Sequence, residues 1–489
     1  MRKFLWVVAV GALVLALAAP AMALDFKFGS EYRVRFTTGV NNPLSFTAAT
    51  AASGDNAGTN VRSVQLRVRP RFDVSDDNGN MTATLRLEIG DVEFGNGGGA
   101  VGETNAGFTS GGTRTGTTVG SGSARVGNGS GGGFGADGVN VETKWGYIDF
   151  ALPFGLPARV RAGIQPWFLP KGLILDDDGA GLRAYGTVKP VSYELFWFRT
   201  SGGPNTAAAL GSGAAGQVVT SNTTDNNYDF YGGRIDVAIA PWLNPGVYYL
   251  FGDNRLNCTT SGTCPGVNRT RESHYVGLTA TGKFGIVSYD LDWVYGSAEG
   301  GQSGAFPTAA APIDVKGWAL DGAVHFPIGP VTVNLAGAYG TGDRANGGAS
   351  EAFPSIAASW NGAGGGFEMI GSGGPFDQVE FTQDSPTNLW MLGGWVTYNP
   401  VKALTLKTAY GYAGFVKKNG NCTTGGATCY GPRYETLQGK SGVGQELSFR
   451  ADYDIWTGFK IQGQMGWLFT RAGSNKTAAE YVLQMYYNF

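Results

Sequence analysis

Arginine falls on alternate residues in several stretches of this chain: Arg33 and Arg35, then Arg67, Arg69 and Arg71, then Arg159 and Arg161. Arg86 and Arg183 sit singly in similar surroundings. A guanidinium stays charged and presents a fork of donors that matches carboxylate and phosphate oxygens, so such a set on one face could steer anions. Like charges at strand spacing repel, and Glu31, Asp73 and Glu88 stand among the arginines as counter-charges. A solvated sheet face is the other reading of the same pattern.

A second charged feature is Asp176-Asp177-Asp178, which follows the apolar stretch Pro166-Trp167-Phe168-Leu169-Pro170-Lys171-Gly172-Leu173-Ile174-Leu175. Such content is odd for a loop left in water and suits one packed against a wall, although an ordinary acidic turn also fits. Consecutive aspartates lack the D-x-D-x-D spacing of a calcium loop. Catalytic chemistry is poorly supplied. His274 and His325 are the only histidines, they fall in separate segments, and no motif serine lies near either. No metal site, cofactor or C-x-x-C-H haem attachment is expected. The cysteines form two close pairs, Cys258/Cys264 and Cys422/Cys429, in polar Gly/Thr-rich segments without a nearby histidine. In an exported chain they read as local disulfides rather than zinc ligands.

Export is indicated by the start of the chain. Arg2 and Lys3 precede an apolar run from Phe4 to Ala19 and an Ala21-Met22-Ala23 step. That is the form of a secretory signal peptide over residues 1–23, with 24–489 as the mature protein. Beyond it, no apolar run of the chain's 489 residues is long enough for a spanning helix. Glycine is abundant, at 80 residues, and gathers between alternating segments rather than in a collagen-like period. The net charge of -2 becomes -4 once Arg2 and Lys3 are removed, which gives no support for nucleic-acid binding.

Alternation of apolar and polar residues recurs almost throughout, which is the period of strands. Leu24–Phe36 and Ala479–Phe489 bracket the mature chain with the same kind of amphipathic strand. Eighteen strands are counted, or sixteen if two short segments belong to loops. Pro70, inside the strand over 64–74, is expected to distort its ladder. The connections alternate strictly between short and long. Asp76–Asn80, Pro153–Leu156, Lys189-Pro190 and Asp454–Gly458 are short, whereas Thr37–Asn60, Gly95–Gly138, Ser201–Asn226, Gly342–Thr387 and Gly414–Gly442 are long. Short turns at one end and long loops at the other suit a transmembrane antiparallel up-and-down β-barrel, closed between its first and last strands. Trp293, Tyr295, Tyr410, Tyr412, Trp467, Phe469, Tyr487 and Phe489 then fall on the lipid face toward strand ends, as interfacial girdles do.

With that architecture, the chain resembles the trimeric porins of Gram-negative outer membranes. The resemblance rests on terminal Phe489 of a dyad-repeat strand and on Trp145-Gly146-Tyr147-Ile148-Asp149-Phe150-Ala151-Leu152-Pro153-Phe154-Gly155 running into Arg159-Val160-Arg161. It implies a water-filled channel for passive diffusion of small hydrophilic solutes and ions in the cell outer membrane. It also implies a homotrimer, and recognition of Tyr487 and Phe489 by the barrel-assembly machinery. The third external loop, 166–180, would fold into the pore and set Asp176, Asp177 and Asp178 against Arg33, Arg35, Arg67, Arg69, Arg71, Arg86, Arg159, Arg161 and Arg183, with Glu31 and Glu88 beside them. A surplus of arginine there favours anions modestly. A non-channel adhesive or structural barrel, and a sheath around an electron-transfer partner, are the alternatives.

Overall fold

The computed structural model describes residues 24–42, 59–94, 141–153, 155–201, 228–254, 271–299, 314–342, 350–370, 385–417, 442–470 and 477–489. The proposed signal segment over 1–23 lies outside these residues. So do both cysteine pairs, Cys258 with Cys264 and Cys422 with Cys429, and with them the two expected disulfides. Among the described residues eighteen strands are formed. The first six are β1 (Leu24–Asn42), β2 (Thr59–Asp76), β3 (Met81–Glu93), β4 (Val141–Ala151), β5 (Ala158–Phe168) and β6 (Asp176–Val188). The next six are β7 (Val191–Ser201), β8 (Tyr228–Val237), β9 (Asn244–Asn254), β10 (Arg271–Phe284), β11 (Val287–Ala298) and β12 (Val315–Ile328). The last are β13 (Val331–Gly340), β14 (Leu389–Val401), β15 (Leu404–Phe415), β16 (Gly442–Trp456), β17 (Phe459–Thr470) and β18 (Thr477–Asn488).

Each strand pairs antiparallel with its neighbours in sequence, and β1 pairs with both β2 and β18. The sheet is therefore a closed ring of 18 strands, as the alternation predicted. Closure leaves no strand edge along the seam, which a spanning sheet requires because hydrocarbon cannot satisfy backbone N–H and C=O groups. At the seam, Tyr32 lies opposite Tyr487 and Arg35 opposite Gln484. The ladder ends where the Ser30 N–H donates to the Phe489 carbonyl at 3.0 Å and the Phe489 N–H returns a bond to Ser30 at 3.2 Å. The Phe489 ring stacks on Tyr32 with 6.2 Å between centroids.

Alternation sorts the two faces. On β18, Tyr481, Leu483 and Tyr487 are exposed on the outside, whereas Glu480, Val482 and Gln484 are buried on the inside. On β12, Trp318 faces out and Gly317, Ala319, Asp321 and Ala323 face in. The apolar outer face is the one that meets lipid. Leu483→Arg places a charge on that face in mid-strand and should cost about 2–4 kcal/mol of folding stability if it lies near the bilayer midplane. Urea titration of folding into lipid vesicles measures this.

Pro70 does not break the β1–β2 register, which continues through it with Ser30 opposite. The irregularity lies on the other side of β2, between Leu66 and Val68, where Gly90 and Asp91 of β3 oppose a single residue. Gly90 has φ +113, and a Cβ there would come within 2.5 Å of the Leu66 carbonyl oxygen. An extra residue of this kind re-aims the side chains that follow it. Here it turns Asp91 toward Arg33 of β1, at 2.6 Å.

Candidate permeation pathway

Three parts of the structure face the interior: a charged wall on β1–β6, a trough of small residues on β12–β15, and two chain segments packed between strands.

The wall begins on β1 and β2, where the register sets Arg33 directly opposite Arg67 and Glu31 opposite Arg69. Glu31 serves several cations. It accepts from Arg67 at 2.8 Å and from Arg86 at 3.4 Å, and lies 3.7 Å from Arg69. Arg69 also meets Glu88 of β3, Arg71 pairs with Asp73, and Arg35 donates to Gln65. Farther round, Asp149 of β4 accepts from Arg159 and Arg161 of β5 at 2.7 and 2.8 Å and from the Tyr185 hydroxyl of β6 at 2.6 Å. Arg183 of β6 pairs with Glu194 of β7 at 2.9 Å. Aromatic faces support the planar guanidiniums: Arg86 lies over Trp145 at 4.4 Å, Arg161 over Tyr147 at 4.5 Å and Arg183 over Trp167 at 4.9 Å. Stacked and paired in this way, the cations have fixed directions rather than the loose arrangement of a solvated surface. All nine arginines expected from the alternation stand on this wall, as do Glu31 and Glu88.

The third connection is shorter than the expected 166–180. Strand β5 continues through Phe168 and β6 begins at Asp176, so only 169–175 remain as loop. Asp176, Asp177 and Asp178 are thus strand residues opposite Phe168, Trp167 and Pro166. Asp176 and Asp177 are exposed. Asp178 is held by Lys144 at 2.7 Å and by the Trp145 indole N–H at 2.7 Å. The loop itself is buried: Leu169, Leu173, Ile174 and Leu175 join Trp167 in an apolar cluster with Phe196 and Phe198 of β7 and Phe230 of β8. Lys171 reaches across to Asp290 of β11 and Asp321 of β12, the latter at 3.0 Å.

Residues 350–370, between β13 and β14, form the second packed segment, and no expectation from the alternation covered it. Its backbone ties to the third loop, because the Ile356 N–H donates to Ile174, Ser359 to Gly172, and Asp176 to Ala357. Gly172 has φ +65 and its absent side chain leaves room for Ser359, whose carbonyl oxygen would lie 2.6 Å from a Cβ. The segment then settles on small inward residues of the wall. A Cβ on Gly364 (φ +62) would lie 2.8 Å from the Ala323 Cβ and 2.9 Å from the Ala336 Cβ. Two buried acids anchor it. Asp321 accepts from the Trp360 indole N–H at 2.8 Å and from the Gly364 N–H at 3.0 Å. Glu446 of β16 accepts the backbone N–H groups of Glu368, Met369 and Ile370 at 2.7–3.0 Å. Glu368 in turn binds Lys407 of β15 at 2.8 Å and lies 3.9 Å from Arg450 of β16. Lys407 and Arg450 are opposite each other in register. They extend the cationic lining beyond the seam, and no run of alternating arginine marks them.

Comparison with known proteins bears on the fold. Residues 247–443 match the model of a family described as a porin subfamily. That match covers less than half of the chain. Among solved structures, the chain resembles Pseudomonas aeruginosa OccK8 (OprE), with a TM-score of 0.51 and 13% identity over 95% of this chain and 98% of that one. P. aeruginosa OpdK solved with vanillate gives a TM-score of 0.52 at 11% identity, over 95% and 98% of the two chains. P. aeruginosa OccK2 (OpdF) in complex with glucuronate gives 0.51 at 11%, again over 95% and 98%. At such identities the likeness is one of fold. No curated protein sequence matches. The chain thus shares the closed β-barrel fold of these outer-membrane proteins, and its inward-facing residues are its own.

Proposed function

We propose that this chain is a porin, a water-filled channel for passive diffusion of small hydrophilic solutes, with a modest preference for anions and small organic acids. The observation that carries the reading is the continuous arginine wall on the inner face of β1–β6. The packed segments 169–175 and 350–370 narrow the lumen from the side of β7–β16, so a solute passes along guanidiniums held in fixed directions. Their carboxylate partners keep the wall from binding any anion tightly, and conduction needs weak rather than tight sites. Vanillate and glucuronate, found with OpdK and OccK2, are both carboxylates, which supports organic acids as the solute class here. Assembly as a homotrimer, and folding by the barrel-assembly machinery through Tyr487 and Phe489, complete the reading. Local disulfides, Cys258 to Cys264 and Cys422 to Cys429, belong to it as staples of two long connections, on the strength of their spacing in an exported chain.

The test is ion preference in a planar bilayer under a salt gradient. Arg67, Arg69 and Arg71, changed together to Glu, should move the reversal potential toward cation preference while conductance persists. An unchanged reversal potential would mean that the wall does not line the path. No conductance at all from the wild-type protein would favour a structural barrel instead.

A further inference from the structure

Lys407 of β15, Arg450 of β16 and Gln464 of β17 follow one another in register across three neighbouring strands, on the face turned inward. A carboxylate from the 350–370 segment is seated on the two cations. Glu368 Oε1 lies 2.8 Å from the Lys407 ammonium and 3.9 Å from the Arg450 guanidinium, and Glu368 is only 4% exposed. Arg450 turns its Nε to Asp452 at 2.8 Å, so the charges of this group balance while Glu368 is in place. Gln464 is the odd member. It is buried, yet neither its Oε1 nor its Nε2 has a hydrogen-bond partner among the described residues. The inward amides near it donate to partners, Gln462 to Asp452 and Gln484 to Gln462. A buried amide left unpaired is costly. This one offers two N–H donors and a carbonyl acceptor beside a guanidinium.

We propose that Lys407, Arg450 and Gln464 form a subsite for small 2-hydroxy carboxylates, for which Glu368 is an internal competitor. The proposal rests on the channel reading above and adds to it a solute class and the residue that selects it. Arg450 and the Gln464 N–H groups receive the carboxylate of the solute, and its hydroxyl donates to Gln464 Oε1. Arg450 is the point of entry, because its side chain is 32% exposed against 16% for Lys407 and it holds Glu368 beyond hydrogen-bond distance. Exchange needs only rotation of the Glu368 side chain, since the Glu368 backbone N–H stays bound to Glu446 at 2.8 Å. Lys407 keeps a second neighbour during the exchange, with its ammonium 6.0 Å from the centre of the Trp395 ring. An internal carboxylate that returns to its seat shortens the stay of any solute, and a conducting pore needs sites that release. Without the Glu368 charge, Lys407 and Arg450 face Asp452 with one positive charge to spare.

Ligand-observed NMR titration of the full barrel in detergent micelles, with glycolate and acetate as probes, tests the subsite without requiring current. Wild type should bind glycolate more tightly than acetate. Glu368→Gln keeps the length of the side chain and removes its charge, and should tighten both acids several-fold. Arg450→Gln should weaken both. Gln464→Leu should erase the preference for glycolate and leave acetate binding in place. Equal binding of the two acids by wild type, or a preference that survives Gln464→Leu, overturns the role given to the amide. Glu368→Gln binding no tighter than wild type overturns the competition. The wild-type comparison and Glu368→Gln decide the two halves even if Gln464→Leu fails to fold. In planar bilayers, blockade of single-channel current by glycolate should follow the same order. A barrel that binds as expected yet carries no current would sink the channel reading and leave the subsite standing.

Discussion

Glu446→Ala should free the 350–370 segment from the wall and raise single-channel conductance. Glu446 is fully buried on the inner face of β16. Its two oxygens hold three successive backbone N–H groups, those of Glu368, Met369 and Ile370, and the Ser448 hydroxyl at 2.8 Å. Successive N–H groups converging on an anion form a concave site that strands and loops rarely offer by chance. Removing the carboxylate leaves those buried donors unmatched, at about 1–3 kcal/mol for each that water does not reach. The loss falls on the segment and spares the barrel, because the β15–β16–β17 ladder does not use the side chain. The expected result is a wider, noisier channel whose 350–370 segment is cut by added protease, with heat stability of the barrel nearly unchanged. Glu446→Gln should fall between, since one of its oxygens becomes a donor facing donors. Wild-type conductance and wild-type protection in Glu446→Ala would show that the segment is held elsewhere.

The contrast between barrel and insert explains what could be read from the chain. Barrel strands are a repeated local pattern, so alternation revealed their number, the closing pair, the short turns and the inward arginines. The 350–370 segment has no such period. It is placed by distant partners: small inward residues such as Ala323 and Ala336, and the single acids Asp321 and Glu446. A signal existed in Phe353, Trp360, Phe367, Met369 and Ile370, apolar residues within a glycine-rich connection, but nothing local says where they dock. Lys407 and Arg450 were missed because each is a lone cation on its strand, completed only by register across the barrel. The three aspartates were expected in a loop because they follow an apolar, proline-bearing stretch. Pairing of β5 with β6 carries on through them, and Lys144 with Trp145 of β4 gives Asp178 its partners. The bulge escaped notice because glycine within an alternating run reads as a weak strand residue until its φ is seen.

Lys171→Met should be the more damaging change at the junction of the two segments. Lys171 is the cation that joins the third loop to β11 and β12, and its partner Asp321 has a side chain only 1% exposed. Burial lowers the lysine's proton affinity, but Asp321 and Asp290 more than offset this and hold it above the ordinary lysine value. The sign follows from linkage: a folded-state value raised above the unfolded one gives stability that is fully present below the unfolded value. That stability is lost only as pH rises through the folded value, so the junction should stay closed at neutral pH and loosen in strong alkali. Removing one partner of a buried pair is severe because the other charge stays behind, at about 3–5 kcal/mol. Methionine keeps an unbranched side chain one atom shorter and removes the ammonium with its charge and its donors, leaving Asp321 with the Trp360 and Gly364 donors alone. The expected phenotype is frequent switching between conductance levels as 169–175 and 350–370 part. Asp321→Asn in the same chain should quiet the switching, because a neutral amide no longer needs the lysine. If the single variant is as steady as wild type, the pair does not hold the junction. If the double variant is as noisy as the single, lost packing rather than stranded charge is the cause.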